Sequence, residues 1–435
     1  MKQADRSTIA GDDVSVAAGP VSSRVSRRRA LGVVGLAAAG VAGLTACGDD
    51  KPTWSNPDKD KPVSKAKVTI TAPAADATDA PASTEIVYTV ENAAQTKVSL
   101  KNASGAEVAG AMHPDGAGWL PDKALDYSAA YTAEITATDS DGVATTSTVK
   151  FTTMAQPANV VSIVSFLPDG AVAGVGMPVI FRLSRAIPKE HRAALQRRLL
   201  VRTDPVQEGI WTWYKADEVH WRPREFWKPQ SKVFVDVRAG GLPLGDSFFA
   251  KRNSTLTFSI GRSLVMTIDD AASPKVMNVA LDGASVRSIR VSLGKPTMSS
   301  SSGTTVIIER LAKTVFDTTT DPNPNNRYRT DIEYAQRLTW GGEFIHAAPW
   351  SVGDQGVRNV SHGCVNMSMP DAKWLFEQTM MGDPVITKNT PRKLERGNGW
   401  TDFDLPWEEY VKLSAIPYVP PAAPSSAEPS ATPTG

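Results

Sequence analysis

Between Lys67 and Ile260 apolar and polar residues keep alternating, and this period of two limits the fold more than any other feature. Ile86, Tyr88 and Val90 share one face. So do Tyr131, Ala133, Ile135 and Ala137, and then Val149 and Phe151. Further along, Val179, Phe181 and Leu183 alternate, as do Val233, Val235 and Val237, and Leu256, Phe258 and Ile260. A side-chain period of two puts every second residue on one face of a half-buried strand, which no helix can do. Asp139-Ser140-Asp141-Gly142 supplies a turn between two of these runs. The 32 glycines and 31 prolines fit many short strands joined by turns.

The expected fold is therefore mainly β, and the chain of 435 residues is long enough for several domains. Residues 67–154 and 155–262 read as two small β-sandwiches, immunoglobulin-like in architecture but without the cysteine pair of antibody domains. Within the second, Pro188 to Leu200 has room for a short helix. Trp211, Trp213 and Trp221 read as core or as an inter-domain seam, with a carbohydrate platform as the alternative. A net charge of +1 gives no electrostatic reason to expect a nucleic-acid partner.

The N-terminus reads as an export address. Arg27-Arg28-Arg29 precedes an uncharged run from Ala30 to Ala46, about 17 residues against the roughly 20 a bilayer crossing takes. The run ends Leu44-Thr45-Ala46-Cys47-Gly48, which resembles the bacterial lipobox. The expectation is a signal peptide over 1–46, a diacylglyceryl anchor on Cys47 and a polar tether over 47–66. The alternative is an ordinary signal peptide with an incidental cysteine. Ser26-Arg27-Arg28-Arg29-Ala30-Leu31 also partly matches a twin-arginine signal, so two export routes stay open. The mature protein is expected on the outer face of the cytoplasmic membrane, reaching into the wall.

From residue 263 to 390 glycine, serine and threonine punctuate short strands. Asp371 to Met381 reads as a helix starting at Pro370 and Asp371 and stopped by Gly382. Residues 391–418, with Trp400 and Trp407, read as an extension packed on this region. Residues 419–435 are Pro-, Ala- and Ser-rich and read as a disordered tail.

The chemistry concentrates in Ser361-His362-Gly363-Cys364-Val365-Asn366, with His346 upstream and fourteen residues between it and Ser361. A thiol near its ordinary pKa of about 8.5 is mostly protonated at neutral pH, so a nearby histidine can activate it. Glycine lets a substrate come close and lets backbone N–H groups converge on an oxyanion. Two other readings remain: zinc bound by both histidines and Cys364, without the paired spacing or the fourth ligand of a structural site, and a buried inert cysteine. His113, His191 and His220 read as ordinary surface or core residues.

His346, the fourteen-residue gap and Ser361-His362-Gly363-Cys364-x-Asn366 together resemble the L,D-transpeptidase signature. His346-Ala347-Ala348-Pro349-Trp350 and Tyr328-Arg329-Thr330-Asp331 resemble its actinobacterial lipoprotein branch, whose members carry immunoglobulin-like domains. The resemblance implies a β-rich catalytic domain over 263–390. It also implies Cys364 as nucleophile, His346 as base or thiolate partner, and His362 and Gly363 shaping the turn and oxyanion region. Tyr328 would stand near the oxyanion, with Ser361 and Asn366 as supports. The family often has a serine where this chain has Ala347, so a backbone carbonyl is left to orient His346. Asp317 to Arg327 would be a substrate lid.

The implied reaction forms 3→3 peptidoglycan cross-links between tetrapeptide stems through a cysteine thioester, releasing D-alanine. It needs no metal and no other cofactor, and carbapenems would acylate Cys364. The two sandwiches would act as a spacer between membrane and wall. An L,D-carboxypeptidase with the same residues, or a wall scaffold with a vestigial site, remain as alternatives.

Overall fold

The computed structural model describes residues 62–420, apart from positions 114, 115, 117, 321, 325 and 326. The export segment, Cys47, the tether up to residue 61 and residues 421–435 lie outside the described residues. The described chain is mainly β, as the alternation requires.

In residues 67–154 the strands Ala77–Ala80, Ala144–Thr153, Ala130–Thr138 and Gln95–Asn102 form one sheet in that order. Lys67–Ala72 pairs with Val87–Glu91 in a second. Along Ala130–Thr138 burial alternates residue by residue, with Tyr131, Ala133, Ile135 and Ala137 inward. Tyr131, Ala133 and Ile135 meet Ile86, Leu100 and Phe151 in one core. The Asp139 turn closes as expected: its carboxylate accepts the N–H groups of Asp141 and Val143.

The second sandwich is two four-stranded sheets. One orders Ile163–Ser165, Val179–Leu183, Glu218–Pro223 and Gly209–Lys215; the other Ala171–Ala173, Ser254–Ile260, Lys232–Val237 and Leu199–Asp204. Val233, Val235 and Val237 are fully buried between the sheets. A helix occupies Lys189–Gln196. Trp211, Trp213 and Trp221 are 5%, 6% and 5% exposed, so they are core and offer no face to a sugar. Trp211 Nε1 donates to the Leu199 carbonyl at 2.7 Å, and Trp221 packs on Trp227 at 5.2 Å.

The third region has a six-stranded sheet ordered Ala284–Arg290, Val276–Leu281, Leu264–Asp269, Pro384–Lys388, Ser301–Val306 and Arg392–Lys393. A second sheet orders Glu309–Asp317, Arg329–Arg337, Phe344–Ala347 and Val365–Met367. Both contribute to one core, with Met266, Ile345, Val365 and Leu375 among its members. The helix runs Met369–Gln378, capped by Ser368, whose Oγ accepts the Asp371 N–H. It ends before Gly382, so Gly382 is not its stop. That glycine has φ +88°, and a Cβ there would lie 2.5 Å from Met177 Cβ. Its smallness lets the second sandwich approach this region closely.

The extension reaches further than the expected packing on the catalytic region. Asp404 accepts the Thr304 N–H there at 2.7 Å and Arg392–Lys393 pairs with Ser301–Val306, and further partners belong to the second sandwich. Trp400 meets Phe166 edge-on at 4.6 Å. The Arg222 guanidinium lies over the rings of Phe403, Trp407 and Tyr410. Asp402 takes both oxygens to within 3.0 Å of His220 Nδ1. The sequence could not distinguish these two surfaces, because the apolar residues of a short extension carry no address.

Candidate active site

The turn 361–364 is built by its own side chains. The Ser361 hydroxyl donates to the Cys364 carbonyl at 2.6 Å and accepts the Gly363 N–H at 3.1 Å. Gly363 has φ +122°, a conformation that favours glycine. Its carbonyl accepts from Ser300 Oγ at 2.7 Å. The segment 292–295 runs alongside and pins the turn: Ser361 N donates to the Leu293 carbonyl, and Ser292 and Asn366 exchange backbone bonds. Ser361 is therefore a scaffold residue, tied up before any ligand arrives.

His346 comes to Cys364 through strand pairing. Phe344–Ala347 and Val365–Met367 are parallel neighbours, with His346 opposite Asn366. Continuing that register puts Cys364 beside Phe344. Side chains two apart share a face, so His346, Cys364 and Asn366 point the same way. All three line a cavity of about 440 Å³.

Electrostatically the cysteine and histidine sit as a neutral pair. Cys364 is 7% exposed. Burial pushes its thiol up to about 12, against a smaller opposing pull from the Phe344 backbone N–H. The Sγ–H donates weakly to the Gly342 carbonyl at 3.7 Å. Burial also lowers His346, whose Nδ1 lies 2.8 Å from the Ala347 carbonyl. A carbonyl only accepts, so Nδ1 carries the proton and Nε2 keeps a free lone pair. Phe316 presents its ring to the imidazole at 5.3 Å, nearly perpendicular, and Trp350 lies at 6.0 Å. Among the described residues no hydrogen bond joins Sγ to the imidazole.

His362 stands at the rim. Burial lowers it, and the neighbouring Lys295 adds to that. Lys295 Nζ lies 3.1 Å from His362 Nε2, where an ammonium donates to a neutral ring. Tyr328 packs on His362 at 5.4 Å and lines the cavity, its hydroxyl raised by burial and by Cys364. Asn366 is 3% exposed. Its Nδ2 donates to Ser351 Oγ, while its Oδ1 has no partner among the described residues. Asp317 and Arg329 pair across the foot of the hairpin whose connection holds the expected lid, and Phe316 and Tyr328 on its two sides line the cavity.

Sequence reasoning missed three parts of this arrangement. Lys295 was invisible because its role depends on a chain crossing far from the motif. Phe316 and Trp350 wall the cavity but resemble any aromatic residue in a β-rich segment. Glu343 is buried directly behind the Gly363 turn. Nothing local marks it, because its serine and arginine partners are distant in sequence. No three His, Cys, Asp or Glu side chains among the described residues cluster to hold a metal ion. His113 and His220 are buried.

Comparison with known proteins places this geometry in context. The description of an L,D-transpeptidase catalytic domain matches residues 265–387, and that of a bacterial Ig domain matches residues 77–243. L,D-transpeptidase 2 of Mycobacterium tuberculosis is 34% identical over 410 residues, covering 91% of this chain and 98% of that protein. L,D-transpeptidase 5 of the same species is 34% identical over 337 residues, covering 75% of this chain and 72% of that protein. A solved L,D-transpeptidase in complex with imipenem is 30% identical, with a TM-score of 0.45, covering 52% of this chain and 98% of that one.

Proposed function

The chain belongs to the L,D-transpeptidase family, and from that premise we propose that it forms 3→3 peptidoglycan cross-links with Cys364 as nucleophile and His346 as general base. The observation that carries this reading is the pairing of a buried thiol with a histidine whose Nε2 lone pair is free on the same cavity wall.

The chemistry starts from the neutral pair. As Sγ attacks the carbonyl carbon of diaminopimelate in a tetrapeptide stem, its proton passes to His346 Nε2. The tetrahedral intermediate puts negative charge on the former carbonyl oxygen, and the Cys364 amide is the candidate donor to it, with the Tyr328 hydroxyl nearby. The C–N bond to D-alanine breaks, and the leaving amine takes the proton from His346. A side-chain amine of a second stem then attacks the thioester, gives its proton through His346 to sulfur, and restores the thiol. One peptide bond is broken and one made, so the energy of the first supports the second. Lys295 keeps cationic charge at the rim, while His362, lowered by burial and by Lys295, adds no second charge beside Cys364.

Donor and acceptor stems are the proposed partners, and carbapenems, as strained acyl donors, would acylate Cys364. Lipid on Cys47, export through 1–46 and a location at the outer face of the membrane complete the proposal, with the two sandwiches as spacer. Shortening that spacer should reduce cross-linking in cells and spare purified activity.

Incubating the purified protein with disaccharide-tetrapeptide, with Cys364→Ala as control, separates the readings by mass. Dimers lacking one alanine and linked 3→3 support the transpeptidase. Tripeptide alone indicates an L,D-carboxypeptidase. No product and no acylated protein indicates a scaffold.

A further inference from the structure

Behind the cysteine lies a buried ion pair that the reaction scheme does not use. Glu343 is 8% exposed and is held from three sides. Its carboxylate accepts the Ser301 N–H at 3.0 Å and the Ser301 hydroxyl at 2.7 Å, and it pairs with the Arg392 guanidinium. Its two chain neighbours both touch sulfur. The Gly342 carbonyl accepts the thiol proton, and the Phe344 N–H points at Sγ as a donor. The adjacent residue Ser300 holds the Gly363 carbonyl, so one dipeptide, Ser300-Ser301, ties the cysteine turn to the 342–344 backbone. A Cβ on Gly363 would stand 3.6 Å from Glu343 Cγ and 3.9 Å from Arg392 Nη2. The pair therefore backs the turn directly.

We propose that Glu343, with Arg392 as its counter-ion, is a positioning residue for Cys364: it fixes the backbone that cradles Sγ, and its charge opposes ionisation of the thiol before substrate is bound. This rests on Cys364 being the nucleophile. The Glu343 charge disfavours a second negative charge on sulfur, and Arg392 offsets part of that effect. The pair thus keeps the thiol protonated, and so poorly reactive towards adventitious electrophiles, until attack couples proton loss to His346. Arg392 is half exposed on its side chain, so the counter-ion can be removed without opening the core. The other titratable groups facing the cysteine are Tyr328, His346, His362 and Asp354 on the cavity wall, with Lys295 beyond His362. The two variants below leave all of these in place.

The test is the pH profile of Cys364 alkylation by iodoacetamide in the full-length protein. The peptide bearing Cys364 is followed by mass spectrometry, so that Cys47 does not contribute. Glu343→Gln keeps the shape and removes the charge. Its midpoint should fall by about one pH unit, roughly tenfold faster alkylation at a fixed pH below the midpoint. Arg392→Met leaves the carboxylate without its counter-ion, and its midpoint should rise. A purely structural pair would move both profiles the same way or neither, and either result overturns the proposal. If Glu343→Gln does not fold, Arg392→Met decides alone: a rise supports the proposal, and no change or a fall overturns it. Donor acylation of the unmodified protein is scored separately. Its absence would remove the functional reading, whereas unmoved alkylation profiles with acylation intact would remove only this one.

Discussion

Two buried histidines in this chain have opposite electrostatic surroundings, and the contrast separates an ion-paired group from the one proposed as general base. His220, in the second sandwich, is fully buried and stacks on Tyr214 at 4.4 Å. Burial alone would lower it, but Asp402 and Glu218 outweigh that and hold it above its ordinary 6.5. Both ring nitrogens are bonded to carboxylates, so it is a charged clamp between sandwich and extension. His346 is nearly as buried, but among the described residues no carboxylate bonds its ring: Nδ1 meets the Ala347 carbonyl, the ring lines the cavity beside Cys364, and burial lowers it. Burial alone does not tell the two apart; the partners of the ring nitrogens do.

The largest effect should come from breaking the chemical side. His346→Gln should lower donor acylation of Cys364 by about 10²–10⁴-fold, the usual contribution of a general base, with little change in melting temperature above the ordinary histidine range. Single-turnover acylation followed by intact mass checks it. A loss under threefold would contradict the role of base.

Breaking the clamp should reverse the pattern. Asp402→Asn removes one partner of a buried ion pair, and such losses cost about 3–5 kcal/mol. Denaturant unfolding should show that loss, while the alkylation profile of Cys364 in the folded fraction stays unchanged.

The pH dependence of stability should differ in sign between the two histidines. His220 is raised, so its contribution is complete below 6.5 and is lost as pH climbs through its folded value. Its partner Glu218 is held down at about 2 from an ordinary 4.5: burial opposes this, but His220 and Arg182 prevail. Its contribution is present above 4.5 and is lost as pH falls towards 2. His346 is lowered, so the fold resists its protonation and loses stability as pH drops below 6.5. Melting temperatures across pH 3–9 should show His220→Phe flattening the alkaline limb and His346→Gln flattening part of the acid limb. The smallest effect is expected from Tyr214→Phe, which deletes the bond to the Gly399 carbonyl beside the clamp. It should cost about 0.5–1.5 kcal/mol.

The strands were legible because alternation is a local signal: Tyr131 to Ala137 and Val233 to Val237 bury every second residue as their spacing implies. The nearness of His346 to the Ser361–Asn366 motif was legible because the two stand close in sequence, and the strand that follows Cys364 pairs with the strand carrying His346. Contacts that depend on distant segments were not legible. Asp402 reaches His220 across 182 positions, and Lys295 reaches His362 across 67. Gly382 looked like a helix stop because glycine serves both caps and close packing, and only Met177 decides which. Glu343 was missed because nothing local distinguishes an acid bound to a distant serine and arginine from one in solvent.

Trapping the acyl-enzyme tests the central claim most directly. The protein is mixed with tetrapeptide donor, quenched in acid within one turnover and digested. A disaccharide-tripeptide mass is expected on the peptide containing Cys364, strongly reduced in His346→Gln and absent in Cys364→Ala. An adduct on another residue, or donor turnover that survives Cys364→Ala, would contradict it.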